Sequence, residues 1–332
     1  MRTDAHVDPA AALSPDMEQI LSLAGRAPSI HNSQPWLWRV HGERVYLFGD
    51  PTRRLEATDP EGRNLVLSCG AALHHLQVVA NALGRTARVR RMPDPGNPWH
   101  LATVTISSSP VGPGTDLTLD TVRRRRTDRR RFTSWPVPDG RLNRLAAEAT
   151  LWGAHVFPVR DLGLRREILA LTYEADRTQR ADPAVRAEAD RWRDRREEGV
   201  PSDHVPAEDS TTSEIDRLAR RFPGGSLPDP ALEPETTIGG LLLLCTWRDD
   251  TESRLRAGEA MSALWLRATQ DRMAVLPLSQ VFEVERTSLA IREGILGGLA
   301  VPHLLLRVGW PSLSADPLPP TPRRRVAELM VP

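Results

Sequence analysis

Lysine is absent from this chain: all 44 basic residues among its 332 are arginine. GC-rich coding is the ordinary cause of such a bias, but the consequence is physical. Any phosphate the protein holds must be gripped by guanidinium forks or backbone N–H groups, never by an ammonium. Cysteine is scarce too. Cys69 and Cys245 stand alone, without metal or redox spacing. That excludes a cysteine metal centre or redox pair, and it predicts two buried thiols in a reducing cytoplasm. Net charge is only +1, so no global field recruits nucleic acid. The longest apolar block is "LLLLC", 241–245, far short of the roughly 20 residues that span a bilayer; it predicts a buried strand and no membrane partner. The N-terminal stretch lacks the basic-then-apolar pattern of a signal peptide. No G-x-G-x-x-G, Walker A, G-x-S-x-G or H-E-x-x-H motif is present, so neither a nucleophile nor a metal is advertised. With 40% hydrophobic and 26% charged residues, the chain reads as globular, with length for two ordinary domains or one large one.

What is there is periodic. Asp59-Pro60 predicts a helix start. Leu65, Cys69, Ala72, Leu73, Leu76, Ala80 and Leu83 follow at helical spacing, and Gly84 predicts the stop. "WHLATVTIS", 99–107, reads as a strand. The same order then recurs. "LSCGAALHHLQVVANALG", 67–84, aligns without a gap on "LRAGEAMSALWLRATQDR", 255–272. "HLATVTI", 100–106, matches "HLLLRVG", 303–309, and "PDMEQILSLAGRA", 15–27, resembles "PDGRLNRLAAEA", 138–149. Three pairs in one order predict two diverged copies of one α+β unit, 1–115 and 116–332. The second carries an extra charged segment at about 177–235, in which Trp192, Leu218 and Phe222 are sparse apolar residues. A linker inside a duplicated unit would be odd, so this segment is expected to be a flap.

Each copy keeps a different motif. The first has "APSIHNSQPW", 27–36, too polar for a core strand and too broken for a helix. A rigid turn with Trp36 and Trp38 in the core is the plain reading. Pro28 and Pro35 fix the backbone, and Ser29 and Asn32 offer polar groups on a stiff frame suited to the edge of a planar heterocycle. His31 has no second histidine or carboxylate at metal spacing and is not read as a ligand. The second copy is preceded by "RRRRTDRRRF"; seven of residues 123–131 are arginine. Such a run can be a solvated basic face or a nucleic-acid patch. No aromatics are interleaved to stack bases, and "FTSWPVP" after it should pack. An arginine-plus-hydroxyl cluster at a helix start suits a phosphate group. "PLSQ", 277–280, reads as a loop whose backbone amides could face a ligand, and "PLPPTPRRR", 317–325, as a stiff tail able to return arginine to the same anion.

Together these pieces resemble the FMN-dependent nitroreductase superfamily. "APSIHNSQPW" looks like its flavin-contacting segment, and "RRTDRRRF" resembles its N-terminal phosphate segment. The fused double unit, with "RRRT" in the middle and "REEGVP" in the extra segment, is most similar to the Acg subfamily of actinobacterial flavoproteins. The resemblance implies an α+β fold with three-layer α/β/α architecture, one chain mimicking the homodimer of ordinary nitroreductases. It implies that Arg125 and Thr127, with Arg126 beside them, hold the FMN phosphate. Arg129 would sit near the flavin N1–C2 carbonyl edge. Pro28, Ser29 and Asn32 would line the ring and ribityl chain; Ile30 stands where the family often has serine. Leu278 and Ser279 would present amides near N5 and O4. Arg323 or Arg324 would complete the phosphate grip. Copy one keeps only the turn and copy two only the arginine segment, so one complete site per chain is expected.

By the same resemblance the flavin would carry the chemistry: NAD(P)H gives hydride to N5, and a small-molecule acceptor takes the electrons. The other reading is an FMN store, with 177–235 as a lid that denies nicotinamide access.

Overall fold

The computed structural model describes residues 13–108, 117–207, 222, 224–229 and 239–331. The first copy begins with α1 (Pro15–Ala24), capped by Ser14, whose Oγ accepts from Met17 N at 3.3 Å. There follow β1 (Trp36–His41), β2 (Arg44–Gly49), α2 (Arg63–Ala82), β3 (Thr86–Arg91) and β4 (His100–Ser107). After α3 (Leu119–Arg124) the second copy repeats the series: α4 (Asp139–Thr150), β5 (His155–Pro158), α5 (Leu162–Ala181), α6 (Pro183–Arg191), β6 (Gly240–Thr246), α7 (Thr251–Gln270), β7 (Ala274–Leu278), the short α8 (Gln280–Glu283) and α9 (Glu285–Leu289), and β8 (Val301–Gly309). Two antiparallel four-stranded sheets result. Their strand orders, β1-β2-β4-β3 and β5-β6-β8-β7, are the same order written twice.

The duplication is seen most directly where α2 crosses α7. A Cβ on Gly70 would lie 2.1 Å from Leu255 O, and one on Gly258 would lie 2.0 Å from Leu67 O. Each glycine thus meets the other helix's counterpart of the same carbonyl, as a twofold contact requires. Only glycine lets the backbones approach this closely. The alignment of 67–84 on 255–272 pairs these two glycines.

One core binds both copies. It runs from Leu47 and Val104 of the first sheet, through Leu73, Leu76, Leu264 and Trp265 on the two central helices, to Leu244 and Leu306 of the second. The second sheet also buries its other face, where Leu243, Cys245 and Leu305 meet Ile168 of α5 and Val281 of α8. Hence every residue of β6 and β8 is buried, whereas β1 alternates. Both cysteines are buried, and burial pushes both thiols up, Cys245 to about 12. Helix α2 has the length and mean hydropathy to cross a membrane, but 89% of that window is buried inside the protein.

Four expectations need correction. Helix α2 starts at Arg63, not at Asp59-Pro60, and Gly62 is its N-cap. Asp59 still caps it from a distance, its carboxylate accepting from Asn64 N at 3.0 Å and Leu65 N at 2.9 Å. The strand match of 100–106 on 303–309 is one residue out of register. Both sheets carry a bulge, and in each the extra residue, Leu101 or His303, is skipped in the pairing with β2 or β6. Leu101 therefore matches His303; the shared "HL" pulled the alignment by one, which in a strand changes face. The extra segment begins earlier than 177. In the first copy β1 and β2 are joined by a tight turn at Gly42, whereas β5 and β6 are separated by 159–239, α5 included. "PLSQ" is not a loop: Pro277 and Leu278 end β7, and Ser279 precedes α8. Leu218 and the 115/116 boundary lie outside the described residues.

Candidate functional site

The turn 28–34 is held in an unusual backbone. His31, Asn32 and Gln34 have φ of 48°, 52° and 48°, left-handed values that cost non-glycine residues of order 1–3 kcal/mol each. Hydrogen bonds stabilise it. Ser29 Oγ accepts from Gln34 N at 3.0 Å, and Ser68 Oγ of α2 accepts from Ile30 N at 3.2 Å. The Ser29 hydroxyl thus supports the turn. Trp36 and Trp38 behind it are fully buried.

This turn walls a two-ended cleft. Pro28, Ser29, Thr127 and Arg129 line both ends. The apolar end continues over Ile30, Met261 and Trp265 of α7, Leu278, Ser279 and Phe222. The polar end continues over Asn32, Arg125, Thr321, His204 and Arg323. A flat apolar slot leading into a cationic recess suits a planar aromatic molecule with an anionic tail.

The arginine run sorts itself by partner. Arg124 pairs with Asp120 at 2.7 Å on the surface. Arg130 grips Asp128 with Nε and Nη2, both at 2.9 Å, and Arg131 Nε meets Asp229 at 3.0 Å. Arg125 has no such relief. It is 3% exposed, donates only Nη2 to Arg26 O at 3.1 Å, and leaves Nε and Nη1 without a partner. Its guanidinium lies 4.8 Å from the Trp265 ring centre. Burial, then the charges of Arg323, Arg126 and Arg26, push its pKa well down. Arg323 is likewise lowered to about 9, by burial and then by Arg26 and Arg126. Among the described residues no carboxylate pairs with any of these four. A buried cation costs several kcal/mol without a counter-charge, a cost that an anion entering the recess would relieve.

The expected helix start is corrected here: Arg123 and Arg124 form the last turn of α3 and Arg125 is its C-cap, so the run closes a helix instead of opening one. Helix carbonyls favour cations there, so the run is placed without help from a helix N-terminus.

Of the residues picked from sequence, Pro28, Ser29, Asn32, Arg125, Thr127, Arg129, Leu278, Ser279 and Arg323 line the cleft. Arg126 stands behind it, donating to Arg123 O at 2.6 Å and Pro319 O at 3.1 Å, and contributes charge. The two tail arginines separate. Arg323 points inward, to Asn32 Oδ1 at 2.8 Å and to Arg26 O and Ala27 O at 3.0 and 3.1 Å. Arg324 points away, donating to Glu328 O at 2.6 Å.

The extra segment covers the polar end. Gly199 O accepts from Asn32 Nδ2 at 3.0 Å, Glu197 O from Gln34 Nε2 at 2.8 Å, and Glu198 pairs with Arg53. Helix α6 docks through Glu188, a buried carboxylate accepting from Ala57 N at 2.9 Å and Thr58 N at 3.1 Å. Phe222 reaches the cleft, edge-on to His31 at 5.2 Å. Trp192 does not: it is clasped between Arg53 and Arg195, at 5.4 and 4.9 Å. Sequence reasoning missed Arg26, Glu188, His204 and Trp265. Only Trp265 had a signal, its place on the aligned helix.

No family model matches the chain. Sequence relatives are clear. A Mycobacterium tuberculosis H37Rv protein provisionally named the NAD(P)H nitroreductase Rv3131 is 41% identical over 324 residues, covering 95% of this chain and 92% of its own. Another from that strain, provisionally named the NAD(P)H nitroreductase acg, is 34% identical, covering 94% of each. Among solved structures, the FMN-dependent nitroreductase NfnB of Mycobacterium smegmatis, in complex with NADPH, shares 15% identity with a TM-score of 0.40, covering 63% of this chain and 94% of its own. The duplicated fold and the cleft with its cationic end define a two-copy α+β protein. The sequence relatives then place it: the chain belongs to the NAD(P)H nitroreductase family.

Proposed function

We propose that the chain binds one FMN in this cleft and serves as an NAD(P)H-dependent flavin oxidoreductase. The observation that carries the reading is Arg125, a buried guanidinium with two unpartnered nitrogens and no acid beside it. An anion arriving beside such a group offsets its cost of burial. Arg125 and Arg323 would hold the phosphate, with Thr127 beside them, while Arg126 adds charge from behind. Leu278, Ser279, Met261 and Pro28 would enclose the ring, and Arg129 would place positive charge where the reduced ring becomes anionic. When bound, FMN supplies the redox chemistry, accepting hydride from NAD(P)H and passing electrons to a small acceptor.

The second, symmetry-related position supports one flavin per chain, because it is filled. Gln77 and Arg91 stand where Trp265 and Ser279 stand in the cleft. Arg91 grips buried Glu259 at 2.7 and 2.8 Å, and Gln77 Nε2 donates to the same carboxylate at 2.9 Å. A buried ion pair thus takes up the position where the cleft offers Trp265 and Ser279 to a ring.

The hydrogen bonds from Asn32 and Gln34 to the 197–199 backbone favour a second reading, FMN storage under a lid. Flavin absorbance of the purified full chain tests both. One FMN per chain, bleached by NADH or NADPH, supports the oxidoreductase. One FMN bleached only after the lid contacts are cut supports storage. No flavin after reconstitution refutes both.

A further inference from the structure

Behind the recess stands a charge outside the arginine run and the tail, its side chain meeting Arg123 O, where Arg126 also donates. Arg26 lies just past α1, where Arg26 N and Ala27 N bond back to Leu23 O and Ala24 O at 3.1 Å each. These tight turns leave the Arg26 and Ala27 carbonyls free to act as acceptors. Arg26 O takes Nη2 of both Arg125 and Arg323, at 3.1 and 3.0 Å. The backbone of Arg26 therefore aims both inward-facing arginines. Its side chain does something separate. It donates weakly to Arg123 O at 3.5 Å, and its buried Nε has no partner. It bears on Arg125, Arg126 and Arg323 as a like charge and depresses all three. Without an anion this placement only destabilises, since four guanidinium groups converge with no carboxylate among them. Burial and Arg123 hold the Arg26 pKa below its ordinary value as well.

We infer that the Arg26 side chain is a further selectivity residue of the cleft. It is an unpaired positive charge acting through space on the phosphate end of the ligand, making the cleft prefer a phosphomonoester to the same molecule without its phosphate. The inference rests on the flavin reading above but concerns a residue outside both motifs that led to it. Its chemistry differs from that of Arg125. Arg125 is enclosed and presents fork nitrogens, so geometry matters. Arg26 is half-buried and contributes charge, so any cation at that position should serve.

The test is titration of the full-length chain with FMN and with riboflavin, followed by flavin fluorescence. In Arg26→Ala the carbonyl that aims Arg125 and Arg323 remains. FMN should bind about three- to tenfold more weakly, the range for one partly screened charge, and riboflavin should bind as to the native chain. Added salt should shrink the FMN difference. Arg26→Lys should restore FMN binding, and Arg26→Gln should not. The inference is overturned if Arg26→Ala binds FMN like the native chain, if riboflavin weakens equally, or if lysine fails to rescue. The flavin reading fails separately, if the native chain itself shows no preference for FMN over riboflavin.

Discussion

Arg323 Nη1 lies 2.8 Å from Asn32 Oδ1, joining two residues from opposite ends of the chain. The same Asn32 gives its Nδ2 to Pro322 O at 3.1 Å and to Gly199 O at 3.0 Å. One amide thus ties the strained turn, the returning tail and the covering segment, both of its N–H donors and one of its two acceptor positions engaging protein.

Asn32→Ala should therefore loosen three segments together. Several buried partners are left unsatisfied, each worth about 1–3 kcal/mol, and alanine is poorly suited to a φ of 52°. Asn32→Gly keeps the backbone freedom and removes only the amide. Both variants should speed hydrogen exchange and proteolysis around 194–204, alanine more than glycine. Unchanged protection in both would show that the covering segment is held without Asn32, by contacts such as those of Glu188, Glu198 and Gln34.

Arg125→Met exchanges a buried unpaired charge for an apolar chain of similar reach. Thermal melts of the ligand-free protein should show higher stability, because an uncompensated buried ion is removed. Affinity for FMN should fall by about 2–4 kcal/mol, the order for a lost charge-assisted contact to a desolvated anion. Arg125→Lys should recover only part of it. Equal FMN binding by Arg125→Met would count against the phosphate assignment.

Glu259 tests the plug in the second position. Glu259→Ala leaves Arg91 and Gln77 without their acceptor and should destabilise by about 3–5 kcal/mol, as when one partner of a buried pair is removed. Denaturant melts should show this, while FMN stoichiometry stays at one. A second flavin taken up by Glu259→Ala would mean that the plug alone keeps that position empty.

Asp59 sets a pH dependence. Burial raises its pKa from 3.8 to about 7, against the opposing pull of the Asn64 and Leu65 N–H groups. A carboxyl group with a raised folded-state value stabilises fully below its unfolded value and loses that contribution as pH rises through the folded one. Stability should therefore fall between about pH 4 and pH 7, by at most about 1.4 kcal/mol per pH unit from this group. Asp59→Asn, neutral throughout, should flatten that slope. An identical slope in the variant would assign the titration elsewhere.

Much of this was legible because it is local or repeated. The periodicity of 65–83 marked α2, and the gapless match to 255–272 marked α7 as its counterpart in the second copy. The Pro-Ser turn and the arginine run stood out by composition. The strand register did not, since two sheets with the same bulge need the extra residue located, and a shared His-Leu pair pointed one position away. The start of α2 was missed because Asp59 reaches over Gly62 to cap it. Arg324 could not be told from Arg323, because adjacent side chains on an extended tail point apart and only a partner decides which faces inward.

The sequence by itself determined the duplication, the helices that carry it, and the guanidinium-only chemistry of any anion site, because periodicity and residue type are properties of the chain alone. Tertiary structure alone decided which arginines are left without acids. Arg130 and Arg131 are neutralised by Asp128 and Asp229, while Arg125, in the same run, is buried beside Arg26, Arg126 and Arg323. Arg26 and Arg323 reach Arg125 from distant parts of the chain, and that packing singles out one buried, acid-free cation from seven similar residues.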